Sequence, residues 1–376
     1  LVRDSRPATA EEVFGGLPPT RLDSAALRAQ VRAIRAADGL LLGVLDDDPT
    51  GSQAVHDVQV VTAADETAYA AALDSPAATC FVLTNSRSLE EPAAAALNQQ
   101  AAHGLLALAA HRGARIQLVS RSDSTLRGHL LAEVAALQAA RREVLGHGFD
   151  GVLLVPAFLE AGRVTAGDTH WARVGAGLVP VGETEFARDP AFGYEASDLR
   201  VFVEEKSGGA VRRDQVASIS LADIRSGGPD RVRDLLAGVA DGGWVVVNAT
   251  DYADLEAVAC GVLLAERAGQ AFLLRTGPSF VRALIGQEPR PPLRGAEISR
   301  TGDAGHGLIV VGSHVGQTGR QLATLRATGG VTSIELDVPA VLGGGDVVPA
   351  TAQRVAAALG HSDVLLYTSR TVAVGR

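Results

Sequence analysis

The sequence predicts an α/β protein of two domains: a doubly wound, mostly parallel sheet, then a second α/β domain that reads as incomplete at its C-terminus. Three observations predict this. Short apolar runs recur between helical, Ala-rich stretches, the alternation that builds parallel sheets with helices on both faces. From about Gln287 to Gly305 the chain becomes rich in Pro, Gly and Arg and loses periodicity, which marks a linker. Its 376 residues also exceed what one hydrophobic core usually supports. The expected organisation is an N-terminal extension (1–38), a first domain (39–290), a linker (291–305) and a second domain starting at 306 and running to 376.

The extension carries one helix, Ser24 to Ala37, capped by Asp23 or Ser24. The run Leu40–Leu45 then reads as a buried parallel strand, closed by the tight loop Asp46-Asp47-Asp48-Pro49-Thr50-Gly51. Further strands are expected at Val58–Thr62, Cys80–Thr84, Arg115–Ser120, Gly151–Val155, Trp244–Asn248 and Ala271–Arg275. Between them, Pro92–His111 and Leu130–Leu145 are Ala-rich packing helices. Beyond the linker, strand Gly307–Val311 ends in Gly312-Ser313-His314, followed by helix Thr318–Thr328 and strands Thr332–Leu336 and Val364–Thr368. That unit spans only ~70 residues, where domains typically run to ~100 or more.

Composition narrows the function. Hydrophobic residues make up 47% and charged residues 20%, as in an ordinary soluble globular protein. A net charge of −9 argues against nucleic acid or an anionic membrane as the main partner. No apolar stretch approaches the ~20 residues of a membrane span. The N-terminus has no signal-peptide pattern, so a cytoplasmic protein is expected. Cys80 and Cys260 are far apart and read as reduced core residues, and no Cys/His cluster has zinc-ligand spacing. There is no Met, and Lys206 is the only lysine, so anions elsewhere must be held by Arg, backbone N–H groups or a metal.

The chemistry sits where strands end. In open α/β sheets the loops after the strands bind ligands. Three adjacent carboxylates repel one another and need something to offset that, with Mg²⁺, a polyhydroxylated substrate or a helix-capping turn all open. Thr84-Asn85-Ser86-Arg87 follows the next strand, and Ser120-Arg121-Ser122-Asp123-Ser124-Thr125-Leu126-Arg127-Gly128-His129 follows another. Pro156-Ala157-Phe158, Gly162-Arg163-Val164-Thr165 and Asp168-Thr169-His170 come after Val155. Each cluster joins Arg, which can pair bidentately with a carboxylate, to Ser, Thr, Asn and Asp, which suit hydroxyls. If the strands are neighbours, these groups converge on one crevice suited to a small, anionic, hydroxyl-rich ligand such as a sugar acid. His129 and His170 read as hydrogen-bonded structural histidines. In the second unit, Gly312-Ser313-His314-Val315-Gly316-Gln317-Thr318 opens a helix whose N–H groups suit a phosphate. It is not a P-loop, because the Gly-Lys-Ser/Thr ending is absent.

Leu45–Gly51 (LDDDPTG), Leu83–Leu89 (LTNSRSL), Arg121–His129 (RSDSTLRGH), Pro156–Thr165 (PAFLEAGRVT) and Gly312–Gln321 together, and in this order, resemble the four-carbon acid sugar kinase family. RSDSTLRG is the most specific piece. The resemblance implies an N-terminal sugar-acid domain and a C-terminal nucleotide-binding domain. It implies ATP-dependent phosphorylation of threonate, erythronate or 3-oxo-tetronate at the terminal hydroxyl. By resemblance, Asp46, Asp47, Asp48, Thr50, Gly51, Asn85, Ser86, Arg87, Arg121, Ser122, Asp123, Ser124, Thr125, Arg127, Arg163 and Thr165 line the substrate side. Gly312, Ser313 and Thr318 lie on the nucleotide side, and a second Gly-rich loop resembling Gly-Gly-x-Thr-Ser is expected beyond Arg376.

Phosphoryl transfer needs positioning, charge neutralisation and a proton acceptor. Arg87 or Arg121 together with Arg163 is expected to clamp the substrate carboxylate, and Asp47 or Asp123 to act as general base. Mg²⁺ is expected to arrive with ATP; its protein ligand is unassigned, and homo-oligomerisation is left open. Two alternatives stand beside the kinase. Asp46-x-Asp48-x-Thr50 also matches the nucleophile loop of a haloacid-dehalogenase-type phosphohydrolase, although RSDSTLRG is then unexplained. A non-catalytic sugar-acid binding protein is the other.

Overall fold

The computed structural model describes residues 6–63, 65–294, 297 and 305–371. The chain forms two compact units, Leu1–Arg290 and Pro291–Arg376. In chain order the first contains α1 (Ala10–Phe14), α2 (Ser24–Asp38), β1 (Leu41–Asp46), β2 (Gln59–Val61), α3 (Glu66–Leu73), β3 (Thr79–Leu83), α4 (Glu91–His111), β4 (Ile116–Arg121), α5 (Leu130–Leu145) and β5 (Gly151–Val155). It continues through β6 (Arg163–Ala166), β7 (Thr169–Val174), β8 (Gly177–Pro180), α6 (Leu199–Lys206), β9 (Ala217–Ile219), α7 (Leu221–Leu236), β10 (Gly243–Val247), α8 (Tyr252–Arg267), β11 (Phe272–Thr276) and α9 (Pro278–Ile285).

Eight strands form one parallel sheet in the order β2-β3-β1-β4-β11-β5-β10-β9. The apolar runs of β1, β4, β5 and β11 are buried along nearly their whole length, as expected of strands covered on both faces. One face packs on α2, α7, α8 and α9 through residues such as Val31, Val232, Leu263 and Phe280. The other packs on α4, α5 and α6 through Leu105, Leu137 and Phe202. This is the doubly wound arrangement that the alternating pattern predicts.

Register brings the loops together. Asp46 at the end of β1 lies opposite Leu83 of β3 and Arg121 of β4, and Thr276 of β11 lies opposite both Arg121 and Val155. The polar clusters that follow these strands therefore start side by side along one edge of the sheet.

Two features differ from the sequence reading. The helix in residues 1–38 is a core element of the first unit: Leu27, Val31 and Ile34 of α2 are buried against α8 and α9. Asp23 caps it by accepting from Ala26 N–H at 3.0 Å. The stretch after β5 is also more than a loop, because β6, β7 and β8 form a separate antiparallel sheet. Its first turn, Gly167-Asp168, has φ of +59° and +62°, the left-handed pair that a two-residue hairpin requires.

The second unit contains β12 (Leu308–Val311), α10 (Gly316–Thr328), β13 (Val331–Leu336), α11 (Val338–Leu342), α12 (Val348–Leu359) and β14 (Asp363–Thr368). Its sheet is parallel, ordered β12-β14-β13. Leu322, Leu365 and Tyr367 pack on one face, and Ile334, Val355, Ala358 and Val364 on the other.

The place of α2 is testable. Val31→Ala removes two methyl groups from a fully buried site and should lower the stability of the protein by about 2 kcal/mol. Urea unfolding measures this, and an unchanged midpoint would show α2 to be an appendage.

Candidate functional site

The aspartate loop is built around a buried ion pair. Asp46 is 3% exposed, and its carboxylate meets Arg121 Nη2 at 2.5 Å across the β1–β4 pairing. Gly51 closes over this pair: a Cβ there would overlap both Asp46 Oδ2 and Arg121 Nη2, so the loop needs glycine at this approach. The Asp46 carbonyl accepts from Thr84 N–H at 2.9 Å, Asn85 N–H at 3.2 Å and Thr84 Oγ1 at 2.9 Å, which fastens the β3 loop to the β1 loop. Asn85 takes a left-handed φ of +47° to make this turn.

Asp47 is 2% exposed. Arg87 grips it with two donors, Nη2 to Oδ1 at 2.7 Å and Nε to Oδ2 at 3.2 Å, while Ser122 Oγ donates to Oδ2 at 3.3 Å. Arg121 Nη1 stands 3.5 Å from Oδ1. Asp48 is more open. Its Oδ1 accepts from Thr50 N–H at 2.8 Å and Thr50 Oγ1 at 2.5 Å, and Arg87 Nη1 lies 3.3 Å from Oδ2. Each of the three carboxyl groups thus has a guanidinium partner within the protein, Arg121 or Arg87.

Beneath the loops runs a second buried chain. Ser86 Oγ donates to Glu133 Oε1 at 2.5 Å, Arg275 pairs with Glu133 Oε2, and the same Arg275 Nη1 donates to Ser120 Oγ at 2.6 Å. Ser86 precedes Arg87, so this pair fixes the turn from which Arg87 reaches Asp47. Sequence reasoning missed Glu133 and Arg275, which look like ordinary helix and strand residues until the strands are paired.

The β4 loop and Arg163 of β6 form a wall of mixed charge, in which Arg127 meets both Asp123 and, at 3.7 Å, Asp189. Asp123 Oδ2 accepts from Arg127 Nε at 2.6 Å and from Thr125 Oγ1, so the bonds it receives fall on one oxygen. Arg127 and Arg163 both face the Phe186 ring, at 5.0 and 5.7 Å. Arg163 gives Nη1 to the Ala161 carbonyl at 3.0 Å, while its Nε is buried with no protein partner. Thr276 Oγ1 and Arg121 Nε, nearby on the sheet edge, are likewise buried without partners. Ser124 and Thr125 are buried, their carbonyls held by His170 Nε2 at 2.8 Å and Tyr194 Oη at 2.6 Å. Thr165 is fully buried and bonded to His170 Nδ1 at 2.9 Å. Leu126 adopts φ +65°, an uncommon left-handed conformation for a branched residue.

The structure therefore brings together Asp46, Asp47, Asp48, Thr50, Gly51, Ser86, Arg87, Arg121 and Ser122 in one bonded cluster, and Asp123, Thr125, Arg127 and Arg163 beside it. Arg121, 4% exposed, is occupied by Asp46, Asp47 and the carbonyls of Ser122 and Asp48. It is held within the protein, whereas Arg127 and Arg163 are half-buried, Arg127 lying between Asp123 and Asp189, with Asp189 at 3.7 Å. Asn85 is exposed, and Thr165 serves His170. His129 packs edge-on against Phe192 at 4.9 Å, and Lys206 donates to the Gly193 carbonyl at 3.2 Å. Asp46 is sealed by Gly51 and Arg121, so it lacks the open approach that a phosphohydrolase nucleophile needs. Among the described residues no cluster of three or more His, Cys, Asp or Glu side chains is arranged to hold a metal ion, and no helix is long and apolar enough to cross a membrane.

In the second unit Gly312, Ser313 and His314 connect β12 to α10, whose N-cap residue, Val315, offers no side-chain cap to the first-turn N–H groups. Ser313 Oγ accepts from Val315 N–H at 3.3 Å, and Thr318 lies in that first turn. Arg370, just after β14, donates Nη1 to the Ser313 carbonyl at 2.8 Å. Unsatisfied helix N–H groups, a serine and an arginine form a donor set that fits phosphate.

Protonation follows burial. Burial pushes Asp46 up to about 7 against the pull of Arg121. Burial also works to raise Asp48 and Asp123, but it is outweighed: Thr50 and the nearby arginines hold Asp48 below its usual range, and Arg87 and Arg127 do so for Asp123. Asp123 is therefore an ionised carboxylate at neutral pH. Two expectations follow. Gly51→Ala should separate Asp46 from Arg121, seen as loss of their close contact in a crystal structure and a fall in thermal stability; an undisturbed pair would contradict this. Between 3.8 and about 7 the unfolded chain has released the Asp46 proton that the folded protein keeps, so stability from this residue is lost as pH rises through that window. Asp46→Asn should flatten that decline in urea unfolding at a series of pH values, and an unchanged slope would contradict the assignment.

Two family models match the chain: a sugar-binding N-terminal domain over residues 42–284 and a nucleotide-binding C-terminal domain over residues 308–376. No curated protein matches it. Among solved structures, Haemophilus influenzae protein HI1011 is similar, with 19% identity and a TM-score of 0.52, covering 86% of this chain and 74% of its own. A Salmonella typhimurium LT2 protein named for a tRNA synthase has 17% identity and a TM-score of 0.55, covering 88% and 74%. A Bordetella bronchiseptica protein solved with bound citrate as a domain-swapped dimer has 23% identity and a TM-score of 0.47, covering 87% and 72%. At these identities the likeness is one of fold. The two domain matches and the site motifs, in the same order along the chain, make this protein a member of the four-carbon acid sugar kinase family.

Proposed function

We propose that the protein is a cytoplasmic, ATP-dependent kinase that phosphorylates the terminal hydroxyl of a four-carbon sugar acid: 3-oxo-tetronate, threonate or erythronate. One observation carries the reading. Two guanidiniums, Arg127 and Arg163, share a wall with the ionised Asp123, and that wall holds the orphaned Arg163 Nε and the less occupied Asp123 Oδ1. A hydroxy acid complements such a wall, offering its carboxylate to arginine and a hydroxyl to aspartate.

In this mechanism Arg163 and Arg127 hold the substrate carboxylate. Asp123 Oδ1 accepts a hydrogen bond from the hydroxyl and orients it; Arg87 and Arg127 hold Asp123 below its usual range, so it is ionised but a weak base, and it takes the proton only as the bond to phosphorus forms. Asp47 acts indirectly, by holding Arg87 in place. ATP, with Mg²⁺ on its phosphates, supplies the phosphoryl group and neutralises its charge when bound. The Gly312–Ser313 loop, the first turn of α10 with Thr318, and Arg370 are the groups that would hold the nucleotide phosphates. The carboxylates of the aspartate loop are already paired with arginines, so Mg²⁺ is assigned to the nucleotide.

Full-length protein incubated with ATP, Mg²⁺ and a panel of four-carbon acids should release ADP only when an acid is present. Phosphate release from sugar phosphates without ATP would favour a phosphohydrolase, and binding without turnover a non-catalytic binding protein. Asp123→Asn should lower kcat by roughly 100-fold or more while leaving the KM of the acid nearly unchanged. Arg163→Gln should instead raise that KM by roughly 10- to 100-fold. An unchanged kcat in the first variant would remove Asp123 from the chemistry.

A further inference from the structure

His170 lies in β7 with no exposed surface, and both ring nitrogens are bonded. A carbonyl oxygen can only accept, so the 2.8 Å bond to Ser124 O places the proton on Nε2. Nδ1 is then the acceptor for the Thr165 hydroxyl at 2.9 Å. Burial keeps the ring neutral by lowering its pKa to about 4.

The two partners belong to different parts of the fold. Thr165 lies opposite His170 in the β6–β7 hairpin, two positions along the strand from Arg163. That hairpin is anchored to the main sheet where Thr165 and Ala249 exchange backbone bonds, each 3.0 Å. Ser124 directly follows Asp123 in the β4 loop, which continues through the strained Leu126 to Arg127. His170 therefore links, through Thr165, the strand that carries Arg163 to the loop that carries Asp123.

We propose that His170 is a positioning residue that sets the separation of Arg163 from Asp123 and thereby the carbon-chain length of the acid the crevice accepts. The proposal rests on the reading of Arg163 as the carboxylate holder and Asp123 as the base. In that reading the acid spans the two groups, so their spacing counts the carbons between carboxylate and reacting hydroxyl. Reacting groups misplaced by ~1 Å can cost ~100-fold in rate, so a buried hydrogen-bonded strut that joins the two segments, beside their shared contact with Phe186, has large leverage.

The test compares three-, four- and five-carbon aldonates as substrates for wild type, His170→Leu and His170→Gln, with Thr165→Val as an isosteric check. Wild type should prefer one length. His170→Leu should reduce that preference by roughly 10-fold or more in kcat/KM, with the KM for ATP within about twofold of wild type. His170→Gln keeps an amide donor for Ser124 O and should recover most of the preference; Thr165→Val should fall between. A merely structural role predicts a parallel loss on all acids with a lowered Tm and an unaltered length ratio, and that result would overturn the proposal. Calorimetric binding of the same acids separates this from failure of the kinase reading. With no turnover by wild type, a length preference in binding that His170→Leu abolishes supports the positioning role. A preference that survives in His170→Leu, or no acid binding by wild type, overturns it.

Discussion

The pairing of Arg121 with Asp46 is the constraint on which the site depends. These residues end adjacent parallel strands in direct register, and each is nearly inaccessible to water. A buried charge without its partner is strongly unfavourable, by about 3–5 kcal/mol when one side is removed. The pair therefore forces the ends of β1 and β4 to stay together, and it fixes where Asp47, Asp48, Ser122 and Asp123 leave the sheet. Gly51 is required because the returning loop passes directly over the ion pair.

A division of labour follows among charges that look equivalent in sequence. Asp46 and Arg121 hold the sheet edge. Asp47 holds Arg87, whose turn is in turn fixed by Ser86, Glu133 and Arg275. In the proposed reading Asp123, Arg127 and Arg163 are the groups that meet the ligand. The proposed reactive wall stands on two layers of internal ion pairs, the kind of support that would hold catalytic groups within fractions of an ångström.

Much of this was legible beforehand. All strands of the main sheet but the edge strand β9, whose three residues Ala-Ser-Ile form no apolar run, announced themselves as apolar runs, and the Arg/Ser/Thr/Asp clusters after them did fall on one edge. What stayed hidden depended on pairing between strands distant in sequence. Arg121 looked like a free substrate clamp because nothing local shows that its neighbour in register is Asp46. Glu133 and Arg275, 142 residues apart, carry no shared motif. The β6–β8 sheet has strands that mix apolar with polar and charged residues, RVTA, THWARV and GLVP, so no continuous apolar run marks them. His170 could be read as a bonded histidine, but its partner Ser124 lies 46 residues away.

The central claim concerns chemistry at a primary hydroxyl, and ³¹P NMR of the reaction mixture tests it most directly. With ATP, Mg²⁺ and the preferred four-carbon acid, the account predicts a new phosphomonoester resonance split into a triplet by the two protons of the terminal carbon, growing in step with ADP. ADP formed alongside inorganic phosphate alone, or a phosphomonoester signal split as a doublet by a secondary carbon, would contradict it.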